Sequence, residues 1–333
     1  MAQNVPFQTV IDALLDENAP FPARYLHRFS DITPADLKSL LNAWPKVATR
    51  RKHALLEDLE ELAESDTLTN FDDLARPLLD DSDAHVRVLS IRLLWECEDP
   101  KLIPIFLDMV TADEDKEVRA AAANALGMFV YLGELEKIPA ETHHEIEDQL
   151  LKITTSKGDL LLRRRALESL GYSGREEVVP LIEAAYHEKN PEWVVSALFA
   201  MGRSSDKRWK KNILSQLHAS NEDIRVEAIH AAGELELESA RKILLDELED
   251  EEDLGLRREL IWALAKIGGE GVRDRLEELA EIETDDEEVE FIEEALDNLS
   301  FTEDMAQFDM FGFDPDSDPS EEDSDAEDEE DIE

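Results

Sequence analysis

The chain has 333 residues, 42% of them apolar, enough to bury one elongated core or two compact ones and too many for disorder throughout. Asp and Glu number 82 against 34 Lys and Arg, a formal charge of −48 that repels phosphate backbones and excludes duplex nucleic acid as a direct ligand for most of the surface. A single cysteine, Cys97, allows neither an intrachain disulfide nor a thiolate metal cluster, and no apolar run approaches membrane-spanning length, so a cytoplasmic protein without membrane contact is expected.

Residues 1–46 read as a helical cap. Val10, Leu14 and Leu15, then Leu37, Leu40 and Leu41, fall at helix-face spacing, and Thr33-Pro34 places a hydroxyl N-cap before a proline at the first helical position. Leu55, Leu59 and Leu62 continue the spacing into the next segment. From about residue 71 the pattern becomes regular: Asp83 precedes Val86-Arg87, then Leu93-Leu94, and after Asp99-Pro100 a second helix carries Leu102, Ile103, Ile105, Phe106 and Met109. The same phrase restarts at Val118, Leu162, Trp193, Ile224, Leu256 and, more loosely, Val289, at intervals of 31–33 residues save one of 44. Repetition at that period marks a helix–turn–helix unit whose apolar face needs a stacked neighbour to cover it. The long interval places an insertion near 131–142, where Gly133 and Pro139 interrupt the pattern.

Small residues after each Val-Arg step, among them Ala120 to Ala123, Ala166, Ala197 and Ala228, let adjacent helices approach closely. Gly127, Gly171, Gly202 and Gly233 are expected to end the first helices as left-handed caps, with Gly268-Gly269 making a different turn in the unit of Leu256. The second helices are expected near 101–110, 141–152, 176–187, 208–218, 238–249 and 271–281, lining the partner-binding face. After Leu299 the composition changes. Residues 302–333 hold no Lys or Arg, so 301–333 reads as a disordered acidic tail, interrupted by an apolar island of Phe308, Met310, Phe311 and Phe313.

The phrases Asp115…Val118-Arg119…Ala125-Leu126-Gly127 and Asn221…Ile224-Arg225…Ala232-Gly233 resemble HEAT repeats, most closely the short bacterial-type units also called phycobilisome-lyase HEAT-like repeats. The resemblance implies an all-α, right-handed α-solenoid over 47–300. It also implies two directions for function. One is a non-enzymatic scaffold or adaptor that binds a protein through its curved surface and acidic tail. The other is a bilin-lyase-like or chaperone-like factor acting on a tetrapyrrole protein. Acidic mimicry of nucleic acid by the tail is a third idea.

Candidate residues are weighed against ordinary structural roles. Arg87, Arg119, Arg163, Arg225 and Arg257 recur at one repeat position, which points to stacking against acidic or Asn residues such as Asp83, Asp115, Asp159 and Asn221 rather than to an anion ladder. Trp193 and Trp262 read as core. His143-His144-Glu145 and His187-Glu188 are two His-Glu pairs where a di-iron HEAT-like array resembling deoxyhypusine hydroxylase needs four, so no metal and no cofactor are expected. No hydrolase, P-loop, dinucleotide or zinc motif appears, and no catalytic residues are assigned. The candidate partner-binding residues are the basic cluster Arg164, Arg165, Lys207, Arg208, Trp209, Lys210 and Lys211, with Trp209 as aromatic anchor, and the tail island Phe308, Met310, Phe311 and Phe313. Arg50-Arg51-Lys52 forms a further basic run. A protein partner of basic character fits the overall charge.

Overall fold

The computed structural model describes residues 5–249 and 251–310, with side chains up to 300. Among these residues every regular element is helical. Backbone proximity divides the chain into two units meeting after Ala231.

The first unit opens with α1 (Phe7–Leu15), a 3-10 turn at Ala23–Arg28 and α2 (Pro34–Ala43). Thr33 caps α2 as its Oγ1 accepts from the Asp36 amide, with Pro34 behind it at the first helical position. Phe7, Val10, Ile11, Leu14, Phe29 and Leu40 are buried beneath this entry segment. Helical pairs follow: α3 (Thr49–Ser65) with α4 (Asp72–Leu78), α5 (Ala84–Arg92) with α6 (Leu102–Ala112), and α7 (Lys116–Glu134) with α8 (Ala140–Thr154). Then come α9 (Leu160–Leu170) with α10 (Val178–Tyr186), and α11 (Pro191–Arg203) with a 3-10 turn, Lys207–Trp209, running into α12 (Lys210–Leu214). Helix α13 (Glu222–Glu234) carries the unit boundary. The second unit continues with α14 (Arg241–Leu248), α15 (Leu254–Ile267), α16 (Val272–Ile282) and α17 (Asp286–Met310).

Each expected restart from Val86 to Leu256 is the third residue of its helix, and Val289 is the fourth residue of α17. The reason is the cap. Asp83, Asp115, Asp159, Asn190, Asn221, Asp253 and Asp285 each accept backbone amides of the following helix at 2.8–3.4 Å. The recurring acid is therefore a helix cap, and the repeat arginines find other partners. Arg87 donates from two nitrogens to Asp113 at 2.8 and 2.9 Å and to the Asp81 carbonyl at 2.8 Å. Arg119 holds the carbonyls of Asp113 and Glu114, Arg163 that of Thr154 while lying over the Trp193 ring, and Arg257 pairs with Glu283.

Two expectations are corrected here. The glycines at 127, 202 and 233 lie inside their helices, and Gly171 ends α9 in a right-handed conformation. Their absent side chains serve close approach instead. A Cβ on Gly127 would lie 2.9 Å from Ser169 Oγ, on Gly171 2.8 Å from the Ala200 backbone, and on Gly233 2.7 Å from the Trp262 ring. Left-handed residues come three positions after a glycine, at Glu136, Ser205 and Glu236. At Glu136 and Glu236 they close paired terminal hydrogen bonds, with Lys137 N bonding Leu132 O and Leu237 N bonding Ala232 O. Gly268, Gly269 and Gly271 all take positive φ, so that turn does differ as expected.

The second correction concerns the insertion. Gly133 does not break α7, which runs 19 residues, six more than α11, while α8 runs 15, six more than α10. The extra dozen residues lengthen two helices rather than forming a loop. The described backbone of α17 runs to Met310 and is helical at Phe308 and Met310, whereas Phe311, Phe313 and the rest of the acidic tail lie outside the described residues.

Candidate functional site

Within the first unit, the first helices converge on one groove of about 500 Å³. Glu60 and Glu64 come from α3, Val88, Ile91 and Arg92 from α5, Ala120, Ala121, Asn124 and Ala125 from α7, Leu161 and Arg165 from α9, and Phe199 and Arg203 from α11. Alanine and glycine let first-helix backbones approach closely, at Gly127–Ser169 and Gly171–Ala200. The second helices line an open groove of their own, with Leu107, Thr111, His144 and Lys152 along it, so a partner-binding face on that layer stands beside the first-helix groove.

Trp95, just beyond α5, stands at the groove with 56% of its surface exposed. Arg203 spreads its guanidinium over the Phe199 ring at 4.1 Å and the Tyr172 ring at 4.8 Å, so its charge is presented on an aromatic platform. Arg92 lies 3.6 Å from Glu60. Burial pushes the Glu60 carboxyl up, Arg92 pulls it the other way, and Glu64 adds to the rise. The floor of small residues flanked by aromatic rings and both signs of charge suits an apolar anchor with polar flanks.

The sequence-derived basic cluster is divided by the fold. Arg165 lines the groove and bonds Glu168 at 2.6 Å. Arg164 turns the other way, to Ser196 Oγ at 2.9 Å and Glu192 at 3.1 Å, and Ser196 in turn donates to the buried Glu168 carboxylate. Arg164 therefore ties α9 to α11, whereas Arg165 is bound within α9 to the carboxylate that Ser196 also reaches. Lys207, Arg208, Lys210 and Lys211 are exposed but do not line the groove, and Arg208 is paired with Asp206. Trp209 is 3% exposed: it seats the 3-10 turn that begins the second helix and belongs to the core, not to an exposed anchor. Arg50 pairs with Glu17, Arg51 holds the carbonyls of Asp16 and Ala19, and Lys52 is buried against Asp81 at 2.9 Å, so that run secures the entry segment. Trp95 was missed because a lone tryptophan in the turn after a helix follows no apolar periodicity.

The family model described as HEAT repeats matches residues 72–140 and 211–297. The match is to HEAT repeats at large, and the phycobilisome-lyase-like subtype rests on the sequence phrases alone. No curated protein matches the chain. Among solved structures, the Escherichia coli protein YibA is similar at 18% identity over 86% of this chain and 98% of its own, with a TM-score of 0.41. Human deoxyhypusine hydroxylase in complex with glycerol is similar at 18% identity over 78% of this chain and 95% of its own, TM-score 0.34. Importin beta follows at 12% identity over 88% and 46%, TM-score 0.40. Likeness at this level leaves the chemistry of the chain to its own residues.

Proposed function

We propose that the protein is a non-enzymatic scaffold whose first unit captures a segment of a basic protein in the groove of its first helices. The observation that carries this reading is the convergence of α3, α5, α7, α9 and α11 on one cavity beside the exposed Trp95. An apolar side chain of the partner would seat over Ala121 and Ala125, with Trp95 as the aromatic edge and Glu60, Glu64 and Glu117 receiving flanking cations. The −48 charge would speed the encounter, and the acidic tail with Phe308, Met310, Phe311 and Phe313 would extend the capture range.

Affinity capture with the full chain, its Ala121→Arg variant and a chain ending at Met310 tests this. The groove reading expects Ala121→Arg to lose the captured protein while keeping the helical circular dichroism of the parent. The shortened chain should keep capture but lose part of its salt sensitivity. Unchanged capture by Ala121→Arg would remove the groove as the binding site. A stable coloured adduct after incubation with a bilin would replace the scaffold reading with the lyase one.

A further inference from the structure

His143 is 8% exposed, and its Nε2 is fully buried without a hydrogen-bond partner. It lies 3.6 Å from Glu147 Oε1 and 3.8 Å from Glu134 Oε1, beyond hydrogen-bonding range of either. Another histidine of this chain gives the contrast: His53 Nε2 meets Asp83 Oδ1 at 2.7 Å. A buried nitrogen facing carboxylates without bonding them is costly unless something sits between them. Space for the ring has been made on purpose, since a Cβ at Gly133 of α7 would overlap it.

We propose that His143, His144 and Glu147 form a binding site for one divalent transition-metal ion on the face of α8. Positions 143, 144 and 147 of a helix fall within an arc of about 100°, whereas Glu145, which the sequence paired with them, points about 160° away from both His143 and Glu147 around the helix axis. The three offer ligand atoms that all lie within 4.8 Å of one another. Around a zinc-sized ion with bonds of about 2.0–2.1 Å, tetrahedral ligand atoms are separated by roughly 3.3–3.4 Å. The 3.6 Å between His143 Nε2 and Glu147 Oε1 is near that edge length. Two imidazoles and a carboxylate select a borderline cation such as Zn²⁺ or Fe²⁺ over Mg²⁺ or Ca²⁺, and leave a coordination position for water.

The surroundings supply the outer support that such ligands need. His144 Nδ1 donates to the Ala140 carbonyl at 2.6 Å, which leaves Nε2 as the lone-pair nitrogen. Ser173 donates to Glu147 Oε1, and the Gly174 amide holds Glu134 at 2.8 Å. Arg175 comes no nearer than 3.9 Å to Glu147 and bonds Asp148 and Glu177 instead.

Co²⁺ titration of the full chain, read by its visible d–d absorption in a large excess of Mg²⁺ that occupies the acidic surface, tests the site. One saturating equivalent, displaced by Zn²⁺, is expected. His144→Gln, at an exposed position where folding is not at stake, and Glu147→Gln should each weaken the Kd at least about tenfold, and Ser173→Ala about ten- to hundredfold. The absence of a saturable signal, or saturation at the same Kd in His144→Gln and Glu147→Gln, overturns the proposal. The second result would assign the cobalt to surface carboxylates.

Discussion

Arg87 shows how a repeated side chain becomes structural. Its guanidinium and the Asp113 carboxylate are both largely buried, and the fork reaches from α5 to the turn before α7. Burial pushes the Asp113 carboxyl up, but the Arg87 hydrogen bonds, the Asp115 amide and the charges of Arg87 and Arg119 outweigh it and hold the group below the usual carboxylate range. Arg87→Ala leaves that carboxylate without its fork and is expected to cost about 2–4 kcal/mol in urea denaturation, whereas Arg87→Lys recovers part of the loss with one bond instead of two. The more exposed pair Arg76–Asp99 is the control, and Arg76→Ala should shift the urea midpoint far less. At the helix ends, Glu136 and Glu236 hold left-handed conformations that cost a non-glycine residue about 1 kcal/mol. Glu136→Gly and Glu236→Gly should therefore raise stability by about 0.5–1 kcal/mol, seen as a higher melting temperature with an unchanged helical spectrum.

Between helices, the decisive contacts are those of backbone on backbone. Gly171 meets the Ala200 backbone, which cannot yield as a side chain can, so Gly171→Ala is expected to destabilise by about 1–3 kcal/mol despite its better helix propensity. Gly158→Ala, facing only Ser156 Oγ at 3.1 Å in an exposed turn, should change stability by about 0.5 kcal/mol or less. These contacts also explain what the sequence could reveal. The register of the helices was legible to the residue because a cap and a Val-Arg step recur together, and both are local. Where a groove opens was not, because it depends on close approaches such as Gly127–Ser169 and Gly171–Ala200 between residues far apart in sequence. Trp209 misled because its basic neighbours hide that it starts a helix and faces the core. Glu147 escaped notice because it is four residues from His143 rather than adjacent, the spacing at which helical side chains actually meet.

Across the whole chain, two electrostatic effects have opposite dependence on pH. A formal charge of −48 repels itself more in the compact state than in the expanded one, so the folded chain binds more protons near its carboxylate range, and stability rises as the pH is lowered from 7 toward 5. Paired carboxylates work the other way. At Asp81, burial raises the carboxyl but the Asp83 amide, Lys52 and Trp44 outweigh it; at Asp83, burial is outweighed by His53 and the Val86 amide; Asp113 is held down as described. With folded values below the unfolded value of about 3.9, their contribution is present above that pH and is lost as the pH falls through the folded values. The melting temperature should pass through a maximum between about pH 4 and 6, and fall on further acidification. Salt separates the two effects. Raising NaCl from about 0.05 to 0.5 M at pH 7 shortens the screening length from roughly 14 to 4 Å, weakening long-range repulsion far more than contacts of 2.7–2.9 Å such as Lys52–Asp81 and His53–Asp83. The melting temperature is therefore expected to rise with salt at pH 7, and a fall would mean that pairing, not repulsion, dominates the charge balance of this chain.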